Sequence, residues 1–150
     1  ITYEIEKVYT GSTRSAGYWK THSIYGPAPY DSTWALLGED STFFLSNKTY
    51  YQVEWTPPKK GNAYYILSFQ YIATALNLLA GADPFEVQAA FDEATELFET
   101  YTPEYIEGLK GNNPIRQHFL ELKNTLEQYN TGMIGPGMCY KYGKNPLTDK

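Results

Sequence analysis

The chain has 150 residues, 12 Lys+Arg against 17 Asp+Glu, and a formal net charge of −5. Nucleic acid asks for a clustered basic face; here the cations are scattered, with Lys59-Lys60 the only adjacent pair, so no nucleic-acid partner is expected. No run of about 18 apolar residues exists, so no membrane span is expected.

By length this is one domain, large enough to bury a core. Charged residues are few (19 %) and aromatics many (17 %), with 15 tyrosines among them. A tyrosine has a large apolar face and a hydroxyl that needs water or a partner. Two readings follow: half-buried tyrosines at the rim of a core, or a surface for contact with partners or sugars. The chain begins at Ile1 without a Met or a signal-like segment, which reads as a processed mature chain or an excerpt.

Residues 1–9 alternate: Ile1, Tyr3 and Ile5 point one way, Thr2, Glu4 and Glu6 the other, and the alternation slips before Val8. That is the pattern of a half-buried β-strand. A lone strand cannot satisfy its own backbone and needs another. Either it pairs with the extended segment predicted at residues 138–142, or it is donated to a neighbouring subunit, with Ile1, Tyr3, Ile5 and Val8 as the assembly residues. Residues 11–16, small and polar, read as a linker.

Gly17-Tyr18-Trp19-Lys20-Thr21-His22 then packs two aromatics, a cation and an imidazole into one predicted turn. Gly26-Pro27-Ala28-Pro29 is a stiff extended connection. Asp31 or Ser32 caps a short helix through Leu37, stopped by Gly38. Ser41-Thr42 starts a turn anchored by Phe43, Phe44 and Leu45, and Trp55-Thr56-Pro57-Pro58 ends that region.

From Gly61 a helix of about five turns, apolar nearly all round from Ile66 to Ala80, reads as the centre of the fold, closed by Gly81. Asp83-Pro84-Phe85-Glu86 reads as N-cap, N1 proline and N3 carboxylate of the next helix, whose stripe is Val87, Ala90, Phe91, Ala94, Leu97 and Phe98. Thr102-Pro103 starts a short helix to Leu109. Asn113-Pro114 starts the last, with Ile115, Phe119, Leu122, Leu126 and Tyr129 inward and Gly132 as its stop. The short connections predict antiparallel neighbours. The fold class is therefore mainly α, an antiparallel helical core with Tyr/Trp-rich loops, an N-terminal β-strand and a short C-terminal extended segment. It divides into residues 1–16, 17–137 and 138–150.

Chemistry-bearing constellations are sparse. His22 and His118 lack ligand spacing, and no EF-hand or phosphate loop occurs. Scattered loop carboxylates (Asp31, Glu39, Asp40) are all that could hold calcium. No cofactor, no metal and no enzymatic activity are expected. His22 reads as a structural histidine bonded to loop backbone, the alternative being a base in an unrecognised hydrolase. Asn47-Lys48-Thr49 is an N-x-T sequon, making Asn47 a candidate glycosylation site. Trp19, Trp34 and Trp55 concentrate in the first 55 residues. They are either plugs pinning loops to the helices or a glycan-stacking platform. The single Cys139 cannot close an internal disulfide and is a buried small hydrophobe, a free thiol or an intermolecular link.

GYWKTHS, together with GPAPYDSTWALLG, TPPKKGNAYYIL, YIATALNLLAGA, GNNPIRQ and GPGMC, resembles a module of bacterial secreted and cell-surface proteins that has no established activity. The resemblance covers about residues 17–139 and implies an extracellular, cell-surface location. It also implies a cysteine shortly before GYWKTH; this chain has Thr10, Ser12 and Thr13 there, and keeps only the second cysteine of the pattern as Cys139. The functional expectation is an extracellular structural protein that assembles with copies of itself, head to tail or as a filament, by donating its N-terminal strand. The alternative is a surface module that binds glycan or cell-wall polymer.

Overall fold

In a computed structural model of the chain, which describes residues 11–138, the body is mainly helical. The helices are α1 (Ala16–Thr21), α2 (Trp34–Leu37), α3 (Tyr50–Glu54), α4 (Ala63–Leu79), α5 (Gln88–Thr100), α6 (Pro103–Glu107) and α7 (Pro114–Asn130). The predicted strand at Ile1, Tyr3, Ile5 and Val8, and the final segment with Cys139, lie outside the described residues.

α4 is the axis of the fold, as its near-continuous apolar sequence predicts. Each of the other six helices packs against it, α7 most extensively. Asn62 starts α4 by accepting the Tyr64 N–H at 3.0 Å, while its own amide donates to the Pro103 carbonyl at 3.1 Å and ties α4 to α6. Leu67, Ile72 and Leu76 of α4 meet Phe98 of α5, Ile106 of α6 and Phe119 and Leu126 of α7 in one core. Phe43, fully buried, meets Phe98 edge-on at 4.9 Å.

The polar residues of α4 sit at i, i+4 and i+7 and share a face. They form a buried ladder towards α7. The Thr74 hydroxyl donates to Asn130 Oδ1 at 3.1 Å, and Asn77 Nδ2 donates to the same oxygen at 2.9 Å. Asn130 Nδ2 donates to Gln70 Oε1 at 3.0 Å. Asn77 Oδ1 also accepts the Arg14 N–H at 2.8 Å and the Trp19 indole N–H at 3.0 Å. A polar group buried without a partner costs about 1–3 kcal/mol, so this ladder makes the polar face compatible with the core.

Several local expectations are corrected. Residues 11–16, read as a linker, are tied to the body and enter α1 at Ala16. Gly11 N–H donates to the Gly81 carbonyl at 3.2 Å and Thr13 N–H to the Gly137 carbonyl at 2.8 Å. Two isolated parallel bridges, Gly11 with Ala82 and Thr13 with Met138, accompany them. GYWKTH is a helix rather than a turn, because the Ser15 hydroxyl accepts the Tyr18 N–H at 3.3 Å and caps it. The expected start at Asp83-Pro84 is instead a turn in which the Pro84 carbonyl accepts from Val87 and Gln88, and α5 begins at Gln88. α3 was not expected. Its start is a full capping box: Thr49 Oγ1 accepts from Gln52 N–H at 3.1 Å and Gln52 Oε1 accepts from Thr49 N–H at 2.9 Å.

Candidate functional site

A groove of about 450 Å³ opens where α1, α3, α4 and α7 converge. Its apolar walls are Trp55, Pro57 and Pro58 after α3, and Tyr65 and Phe69 of α4; its polar groups are Lys20, Glu54, Gln70, Lys123 and Glu127. The construction follows from the local sequence. Buried Trp19 anchors α1, and the next residue, Lys20, projects towards the groove. The Thr49–Gln52 box fixes the start of α3, and the Pro57-Pro58 pair prevents its continuation. Thr56 donates to the Gln52 carbonyl at 2.6 Å and closes the end. Trp55 sits at the C-cap, 41 % exposed, with its ring over the groove rim.

Glu54 is the unusual residue. It is 4 % exposed, and neither carboxylate oxygen has a hydrogen-bond partner among the described residues. Burial holds its carboxyl well above the usual carboxylate range, and the Lys20 charge pulls it only partly back. Lys20 Nζ itself lies 4.4 Å from the Trp55 ring centroid and 5.8 Å from that of Phe69, a cation–π seat rather than an ion pair. On the far side Glu127 Oε2 is 3.2 Å from Lys123 Nζ and accepts the Gln70 amide at 3.4 Å. Through Gln70 the groove joins the buried α4–α7 ladder.

The three tryptophans do not form a platform. Trp19 and Trp34 are buried at 1 % and 0 % exposure, and their indole N–H groups are used internally. Their faces are therefore closed to a sugar, and both are plugs; Trp55 alone of the three is exposed, with Lys20 Nζ over one face of its ring. Asn47 is exposed, with φ +59, at the tip of the turn closed by the antiparallel Thr42–Thr49 bridge, which leaves room for a glycan. His22 Nδ1 donates to the Pro29 carbonyl at 2.7 Å and its ring stacks on Tyr18 at 3.9 Å, a structural setting. His118 pairs with Glu93 at 2.6 Å on the surface.

The loop carboxylates are committed elsewhere. Glu39 accepts the Ile24 N–H at 2.6 Å, Asp40 accepts the Tyr25 hydroxyl at 3.0 Å, and Asp31 accepts the Tyr18 hydroxyl at 2.7 Å. Among the described residues no group of three metal-ligating side chains converges.

Sequence reasoning did not single out Glu54. One signal was present: a carboxylate set between Val53 and Trp55, with prolines two and three residues past Trp55 marking the end of its segment. Nothing local says that such a carboxylate turns inward. No protein-family model, curated protein or solved structure matches this chain.

Proposed function

We propose that this protein is an extracellular binding module of the surface-protein type, and that the groove beside Trp55 takes its ligand. One observation carries the reading: Glu54, whose carboxyl is buried and unpartnered, is a lining residue of a groove walled by Trp55, Tyr65 and Phe69. Ligand sites combine apolar walls with a few convergent polar groups. The exposed Trp55 indole is a natural face for a sugar ring once Lys20 shifts from it. The fluorescence of Trp55 supplies the test, because Trp19 and Trp34 are shielded. Soluble polysaccharides and cell-wall fragments should shift the emission, and Trp55→Ala should abolish the shift while the circular dichroism stays that of the parent. An unchanged emission and no calorimetric heat across such a panel would remove the reading.

A second reading, self-assembly through strand donation by Ile1, Tyr3, Ile5 and Val8, draws on the alternation of residues 1–9. The bridges at Gly11 and Thr13 support it, since they moor the chain immediately after that segment to the body. A donated strand so moored would hold its acceptor close. Deletion of residues 1–9 separates the two readings: electron micrographs should lose any polymer, whereas ligand binding at Trp55 should persist. Polymer that survives the deletion would sink strand donation.

A further inference from the structure

The groove's polar groups have a sign. The protein is acidic overall, yet around this groove stand two lysines, Lys20 from α1 and Lys123 from α7, against two carboxyl groups: Glu127, already bonded to Lys123 and Gln70, and the buried Glu54. Tyr65 of α4 adds a neutral hydroxyl, whose ionisation desolvation pushes further up. Lys20 has no ion-pair partner among the described residues; it rests on the Trp55 ring. Beside it, Glu54 in its protonated form is an O–H donor with no acceptor. What is missing is an acceptor, and a negative one answers both groups at once. A cationic ligand fits less well: the Trp55 face it would use is occupied by Lys20, which would also repel it.

We propose that the groove selects ligands that carry a carboxylate, such as uronic-acid polysaccharide, and seats that group between the Lys20 ammonium and the Glu54 carboxyl. The inference rests on the groove being the ligand site. The Glu54 oxygens are shielded from solvent, so side chains of the groove shift to admit the ligand, and the Lys20 ammonium closes on its carboxylate. The Glu54 O–H donates to one ligand oxygen and Lys20 to the other; no covalent step is involved. The arrangement makes binding depend on pH. When Glu54 loses its proton it becomes a second anion against the ligand, with Lys20 and Lys123 the cations of the groove among the described residues and Glu127 adding to the repulsion.

The test compares oligogalacturonate with neutral galactan oligomers of the same length, by calorimetry on the intact protein. The acidic oligomer should bind at least about tenfold more tightly, the worth of one charge-assisted hydrogen bond. Its affinity should fall as pH rises and Glu54 ionises. Glu54→Gln, whose amide still donates, should bind across the same range and lose that pH dependence. Lys20→Met should weaken binding about tenfold or more, with an unchanged dichroism spectrum showing that the fold survives. Equal affinity for the neutral oligomer would overturn the carboxylate selection and leave the groove standing. Tighter binding at higher pH would overturn the donor role of Glu54. Failure of either oligomer and of every other sugar to bind would remove the groove as a ligand site altogether.

Discussion

The indole N–H of Trp34 donates to the backbone carbonyl of Trp19 at 2.9 Å, and the Trp19 indole N–H donates in turn to Asn77 Oδ1 at 3.0 Å. Two loop-region tryptophans are thereby chained to the central helix. Trp34→Phe leaves a buried carbonyl without its donor and a gap beside it, so it should cost about 2–4 kcal/mol. Trp55→Phe, at the open rim, should stay within about 0.5 kcal/mol of the parent. Urea denaturation of the two variants checks the contrast, and equal losses would show that the Trp34 bond does not hold the loop.

The α4–α7 ladder predicts non-additivity. Asn77→Leu should cost about 2–4 kcal/mol, because Trp19 and Arg14 both lose their acceptor and Asn130 loses a donor. Asn130→Leu should do similar damage through Thr74, Asn77 and Gln70. The double variant should fall short of the sum by about 1 kcal/mol or more, since each single change already leaves the other residue partly unpaired. A double-mutant cycle in denaturant measures this; strict additivity would mean that the two amides act independently.

Glu54 sets a pH dependence whose sign follows from its raised pKa. Below the carboxylate's unfolded pKa, near 4.3 on the usual scale, it is protonated in both states and costs nothing. Above that value the unfolded chain ionises while the folded one resists, so stability falls as pH rises, until the folded group ionises as well. Glu54→Gln removes this liability. The variant should melt higher than the parent at neutral and alkaline pH, and the gap should shrink towards about pH 4. A melting-temperature difference that does not vary with pH would contradict a neutral, buried Glu54.

The tyrosines carry a second linkage at the other end of the scale. Burial pushes Tyr64 and Tyr71 upward, and burial together with Asp83 pushes Tyr129 up to about 12. Tyr129 also donates its hydroxyl to the Asp83 carbonyl at 2.7 Å. The contribution is fully present below the unfolded tyrosine value of about 10 and is lost as pH rises through the folded values. Absorbance of the tyrosinate band should therefore show one class ionising near pH 10. The rest should ionise only in a cooperative step together with loss of helix. A single smooth titration with the helix intact would show that these hydroxyls are open to water.

The long helices were legible because their burial repeats with the helical period. Leu122, Leu126 and Tyr129 of α7, and the nearly all-apolar α4, each announce a buried face, and Asn113-Pro114 marks a start that the structure places at the same residues. The short elements were hidden for different reasons. α1 has six residues and a glycine inside it, too short for a period to show; what defines it is Ser15 as cap and the burial of Trp19. α3 did have a readable sign, the Thr49-x-x-Gln52 box, but Thr49 is also the last residue of the Asn47-Lys48-Thr49 sequon, and the segment is too short to show a helical period. The delay of α5 to Gln88 is tertiary: Tyr129 holds the Asp83 carbonyl and the Pro84 carbonyl serves a turn. The groove was the least legible part. Lys20 and Glu54 lie 34 positions apart in the numbering of the chain, on two short helices that only their packing on α4 brings together.

The two parallel bridges have a mechanical consequence. Because Thr13 lies beside Met138 and Gly11 beside Ala82, the strand-like stretches through which the described body begins and ends run side by side. Traction along the polypeptide is met at that short seam before it reaches the helices. A pulling experiment should register the seam's release as a distinct first event, after which α4 and its neighbours still hold together.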